Sequence, residues 1–211
     1  MSKLVVSIPK LGMSSKADDA RQLYTLAFAS DLNIHENKEA EIIGGANKNL
    51  PELVPEIVGK DAMNFVLASV SNIFHVTHSF RFASLSGSGI IIYPNLDPKG
   101  FFALQLFVIE SDDNHRRLGE KLKKVFSNEQ VKGVIGELKK AVTNPLIGSL
   151  MGAFADVVPQ LFSGSGDDLL FSHSHSGFDF DNYGVNENQT ITDFPLESKL
   201  IDATLRIRVR E

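Results

Sequence analysis

Phe101-Phe102-Ala103-Leu104-Gln105-Leu106-Phe107-Val108-Ile109 is apolar on both faces of an extended chain, apart from Gln105. Side chains alternate across a strand, so a strand with one wet face would carry a polar residue at every second position. This one does not, and such strands are covered on both sides. Something must therefore cap the sheet, and the next fifty residues supply it. Val131, Val134, Leu138, Val142, Leu146, Leu150, Phe154, Val157 and Leu161 recur at spacings of three and four, the mark of an amphipathic helix. A first helix is expected over residues 114–126, with Asp112 and Asp113 at the end where carboxylates suit the helix dipole. Ser127-Asn128-Glu129-Gln130 reads as a capping box opening a second helix. Asn144-Pro145 reads as an N-cap before proline at the first position of a third.

Strand patterns flank this block. Residues 3–8 alternate, with Leu4, Val6 and Ile8 on one face. Residues 21–30 put Tyr24, Leu26 and Phe28 on one side and Thr25, Ala27 and Ala29 on the other. Residues 50–71 are ambiguous between helix and strand. Phe74, Val76, His78, Phe80 and Phe82 share a face, and Gly87-Ser88-Gly89 offers a tight turn before Ile90-Ile91-Ile92-Tyr93. Pro94 to Gly100 reads as a longer turn. After the helices, residues 169–171 and 178–180 are short strand candidates. Ala203, Leu205, Ile207 and Val209 then point inward, with Arg206, Arg208 and Arg210 outward. The expected fold is α+β, mainly β: an antiparallel β-sandwich with an inserted helical segment, about 114–162, packed on the sheet. No repeat or linker divides the chain, so residues 1–211 read as one domain, strand-rich over 1–110 and 164–211 and helical over 111–163.

Composition narrows the function. The 211 residues contain no cysteine, which excludes thiol catalysis, disulfide scaffolds and thiolate metal sites. A net charge of −5 argues against a general nucleic-acid binder. The N-terminal apolar stretch is too short for a signal peptide and stops at Pro9. Residues 141–166 carry Asp156, Pro145 and Pro159 and read as a buried or amphipathic helix rather than a span. A cytoplasmic protein is expected. Charge is segregated along the chain: residues 114–140 hold eight basic and three acidic side chains, whereas 141–202 hold one basic and nine acidic. Arg116, Arg117, Lys121, Lys123 and Lys124 form a candidate surface for an anion or partner.

Three acidic pairs, Asp18 and Asp19, Asp112 and Asp113, and Asp167 and Asp168, each stand beside an expected strand end. Calcium takes six to eight oxygens and draws them from several loops. Asp179 and Asp181 belong to a stretch resembling the opening of an EF-hand loop, but Tyr183 and Thr190 stand where ligands are required. An extended chain would aim Asp179 and Asp181 the same way. These eight aspartates are the candidate calcium ligands. His173 and His175 share a strand face at a spacing suited to zinc or nickel, although an exposed polar hairpin is the commoner reason for such a pattern. No nucleophile elbow, phosphate loop or dinucleotide fingerprint occurs.

Leu4-Val5-Val6-Ser7-Ile8, an Asp-bearing loop and Tyr24-Thr25-Leu26-Ala27-Phe28 together resemble C2-type sandwiches, over less than a fifth of the chain. The resemblance implies calcium-linked binding to a membrane surface or a protein; the helical insertion departs from a plain C2 domain. The expected function is a non-enzymatic binding module, with a protein partner, a homo-oligomer or a peripheral membrane as its target. A self-associating structural subunit, joined through segregated charges and strand edges, is the alternative, and a metal-dependent hydrolase the second.

Overall fold

The computed structural model describes residues 3–13, 21–33, 65–71, 73–76, 82–84, 89–111, 118–162, 167–185 and 191–210. The strands are β1 (Lys3–Met13), β2 (Arg21–Asp31), β3 (Leu67–Val70), β4 (Phe74–Val76), β5 (Phe82–Ser84), β6 (Ile90–Leu96) and β7 (Phe101–Ser111). Three helices follow, α1 (Leu118–Ser127), α2 (Glu129–Leu138) and α3 (Asn144–Phe162). The chain ends through β8 (Asp167–Phe178), a 3-10 helix (Asp179–Gly184), β9 (Ile191–Glu197) and β10 (Ile201–Arg210).

Two antiparallel sheets and a helical layer stack in order. The outer sheet runs β5-β1-β10-β9, with β6 also paired to β1; the middle sheet runs β3-β2-β7-β8, with β4 also paired to β2. Strand β7 lies inside the middle sheet, and its two faces feed two different cores. Phe102, Leu104, Leu106 and Val108 pack with Leu4, Val6, Ile8, Leu205 and Ile207 of the outer sheet. Phe101, Ala103, Phe107 and Ile109 pack against the helices. This double burial is why the sequence of β7 shows no wet face, and the sandwich with its helical insertion stands as expected. Strand β2 divides the same way, with Tyr24, Leu26 and Phe28 toward the helices and Leu23, Ala27 and Ala29 toward the outer sheet.

The helices are held by aromatic packing. Phe154 stacks on Phe28 at 4.1 Å between ring centroids and meets Phe126 edge-on at 5.5 Å. α3 is long and apolar enough to cross a membrane by length and composition. Its Ile147, Leu150, Phe154, Val157 and Phe162 are buried in the core beneath the helical layer.

Several boundaries differ from the sequence reading, each for a local reason. β1 continues past Pro9 to Met13, because an irregularity between Ser7 and Lys10 takes the proline out of the regular register with β10. β6 runs through Pro94 to Leu96, and its turn falls at Lys99 and Gly100, both at positive φ. The second helix is capped by Asn128, whose Oδ1 accepts the Gln130 N–H at 2.9 Å, not by Ser127. Of the ambiguous residues 50–71, those from Leu67 to Val70 form a strand. The two short candidates after the helices are replaced by one twelve-residue strand, β8. Gly89 has φ +78°, and a Cβ there would lie 2.2 Å from the Ile8 carbonyl oxygen, so glycine is required where β6 meets β1. The expected turn residues Gly87 and Ser88, and His78 and Phe80 of the adjoining pattern, lie outside the described residues.

Candidate functional site

The four described acidic candidates, Asp167, Asp168, Asp179 and Asp181, stand in two separate places. Asp167 and Asp168 open β8 opposite Ser111 and Glu110, whereas Asp179 follows the far end of the strand. At about 3.3 Å per residue the two ends are roughly 30–35 Å apart, too far to share an ion. Asp179 and Asp181 lie on the 3-10 helix rather than on extended chain. The common aim expected of this pair needs extended backbone, which the segment does not have. The Asp179 N–H instead donates to the Gly100 carbonyl at 3.1 Å and fastens the 3-10 helix to the turn before β7. Asp18, Asp19, Asp112 and Asp113 lie outside the described residues. Among the described residues no group of three or more His, Asp or Glu could hold a metal ion.

The histidine pair belongs to neither a hairpin nor an exposed face. His173 and His175 are half-buried in mid-β8, with ring centroids 6.4 Å apart. His175 reaches Phe194 of β9 at 5.2 Å, and its Nε2 donates to the Tyr183 carbonyl oxygen at 3.2 Å. Burial first, and the neighbouring His175 second, hold the His173 imidazole below its ordinary range. Its Nε2 is buried without a hydrogen-bond partner among the described residues.

At the same end of the sandwich sits a buried polar pair that local sequence patterns gave no sign of. Asp31 is 2% exposed in the inter-sheet core. It accepts from the Tyr93 hydroxyl and, through Oδ1, from the Asn33 N–H. Burial and then the Asp31 charge drive the Tyr93 phenol far above its usual range. Tyr183 is raised in the same sense, by burial and then by Asp179.

Basic residues occupy two surfaces. On α1, Leu118, Lys121, Leu122, Val125 and Phe126 share the buried face. Lys121 is 6% exposed, and its Nζ lies 4.5 Å from the Phe162 ring centroid, a cation–π contact. It therefore leaves the expected basic surface, on which Lys123 and Lys124 stay exposed. Arg116 and Arg117 lie outside the described residues.

The second surface is the open face of the outer sheet. Register places Lys3 opposite Arg210, Val5 opposite Arg208 and Ser7 opposite Arg206. β9 adds Asp193 beside Arg206 and Ile191 beside Arg208. Arg206 and Asp193 form a two-pronged ion pair, 2.7 Å on each arm. That pairing holds the Asp193 carboxyl below the usual carboxylate range. Lys10 is likewise matched by Asp202 at 3.0 Å. Lys3, Arg208 and Arg210 have no ion pair among the described residues. Lys3 and Arg210 are like charges directly opposite each other, an arrangement that costs stability in a sheet. The sequence shows the arginine ladder, but Lys3 joins it only through pairing across nearly the whole chain.

No protein-family model matches the chain, and no curated protein matches it. The class is set by the fold alone: an α+β protein of two antiparallel sheets with helices packed on one of them.

Proposed function

We propose that the protein is a non-enzymatic binding module whose working surface is the open face of the outer sheet, and that its partner is an acidic protein. The observation that carries this is the cluster of Lys3, Arg208 and Arg210, uncompensated among the described residues of a chain whose net charge is −5. Magnitudes favour a protein over a bilayer. Three basic residues near an anionic membrane contribute about 1 kcal/mol each, too little to hold a folded protein there without a second anchor. Across a protein interface, arginine forks meeting carboxylates also fix orientation, and close charge pairs couple more strongly. Ile191, 41% exposed beside Arg208, adds an apolar contact at the rim. A C2-like relationship agrees with a sandwich that works by surface binding; the reading uses the cationic sheet face in place of a calcium loop.

The test uses poly-glutamate as an acidic peptide probe, with phosphatidylserine vesicles in parallel. The expected result is salt-sensitive binding to poly-glutamate that is lost in Lys3→Glu/Arg208→Glu/Arg210→Glu and kept in Lys123→Glu/Lys124→Glu. Vesicle binding without peptide binding would replace the protein partner by a membrane. Binding that follows Lys123 and Lys124, or no binding to either probe, overturns the choice of surface.

A further inference from the structure

Strand β8 is an edge of a kind that the other sheet margins are not. Among the described residues it pairs on one side only, with β7. Exposed edges are normally blunted by shortness, proline or charge, and the other margins follow that rule. β3, β4 and β5 are three or four residues long. β6 contains Pro94, and β9 contains Pro195 with the exposed Asp193. β8 has twelve residues, no proline and no lysine, and its only charges are the first two positions, Asp167 and Asp168. The nine residues from Leu170 to Phe178 carry none.

The sequence of this edge also reads the same in both directions: Ser172-His173-Ser174-His175-Ser176 is a palindrome about Ser174. An antiparallel pair reverses one copy, so this segment meets itself in kind. A two-fold interface must be self-complementary in that sense. Ser172 would face the partner's Ser176, His173 the partner's His175, and Ser174 its own counterpart. Within Leu170–Phe178 no charged residue enters the pairing; past its ends the same register carries Asp167 and Asp168 toward the partner's Asp181 and Phe180, so acidic residues meet only at the margins of the interface. The serine row, on the side of the middle sheet that carries the helices, is exposed.

We infer that two copies of this chain join β8 to β8 in antiparallel register about Ser174, making one continuous middle sheet across a two-fold axis. The occupant of the edge is a second copy rather than a foreign peptide because the palindrome, the neutral composition and the length all suit self-pairing. The inference uses a surface separate from the cationic sheet face and stands independently of the acidic-partner reading.

Light scattering after size exclusion, run at pH 8, where ordinary imidazoles are neutral, tests it on the full chain. The wild type should give a concentration-dependent dimer. Ser172→Lys/Ser176→Lys sets lysine against lysine about 5 Å apart and should give monomer. Ser172→Lys/Ser176→Glu sets lysine against glutamate across the same axis and should keep the dimer. Both variants alter exposed side chains, and matched thermal melts verify that each remains folded. A wild type that stays monomeric at its highest soluble concentration overturns the inference. So does equal behaviour of the two variants, because only the stated register makes one repulsive and the other attractive. The Lys3, Arg208 and Arg210 variants should dimerise normally, which separates this result from the partner test.

Discussion

Replacing Tyr93 by Phe removes one hydroxyl from the end of the inter-sheet core and leaves the ring, with its edge contact to Phe102 at 4.8 Å. The consequence falls on Asp31. That carboxylate is 2% exposed, so water cannot readily replace the lost donor, and Asn33 still supplies its N–H. Leaving a buried acceptor one bond short costs about 1–3 kcal/mol, and more for a charge. Unfolding entropy near 2.1 cal/mol/K per residue gives a chain of 211 residues about 0.44 kcal/mol/K. A loss of about 2 kcal/mol is therefore a fall of about 4–5 °C in Tm. Calorimetry on the wild type, Tyr93→Phe, Asp31→Asn and the double variant closes a thermodynamic cycle. In the Asp31→Asn background the hydroxyl no longer serves a buried charge, so its removal should cost less than half as much. A shift below about 1 °C for Tyr93→Phe, or an equal cost in both backgrounds, would refute the claim that this hydroxyl supports the Asp31 carboxylate.

Two further outcomes concern stability elsewhere. Phe154→Ala empties the space between Phe28 and Phe126 and should cost about 3–5 kcal/mol by urea unfolding; a cost below about 1 kcal/mol would show that the helices are not held there. The neutral form of His173 is favoured by folding, because burial and His175 lower its pKa. Its contribution is therefore present above the unfolded value of about 6.5 and lost as pH falls through the lower folded value. The urea midpoint should drop more steeply from about pH 8 to about pH 5 in the wild type than in His173→Gln, and parallel slopes would contradict the assignment.

What the sequence disclosed depended on how completely each face was buried. β7 was legible because both its faces are covered and both are apolar. β8 was hidden because its helix-side positions are serines and its inner positions include two histidines that are only half-buried, so neither face shows the apolar period of a strand. Lys121 was read as surface by its charge, although its spacing from Leu118, Leu122 and Val125 places it on the inward stripe. The long aliphatic stem lets it lie there with its ammonium over Phe162. Asp31 sits on the parity of Ala27 and Ala29, which does point inward, but its partner Tyr93 is 62 residues away. No local pattern links them. The backbone at Asp179 and Asp181, expected to be extended, was misread for a related reason. A spacing of two aligns side chains only if the backbone is extended, and Asp179 to Gly184 winds instead.

The pairing of β1 with β10 has a consequence for how the molecule is made. Met13 meets Ile201 across about 190 residues of intervening chain, which at roughly 5–20 residues per second is about 10–40 s of synthesis. β5 and β6 reach one side of β1 far sooner, but its other ladder, and the only partner of β9 among the described residues, arrive with Ile201–Arg210. Until then the emerging protein carries a half-finished sheet, with Leu4, Val6, Ile8 and Leu11 incompletely covered. A ribosome stalling before Ile201–Arg210 is made, or a protease removing that segment, would leave a chain with two raw margins where the native one has a continuous sheet. Quality control would meet a more adhesive substrate just before Ile201–Arg210 is made than after it has paired.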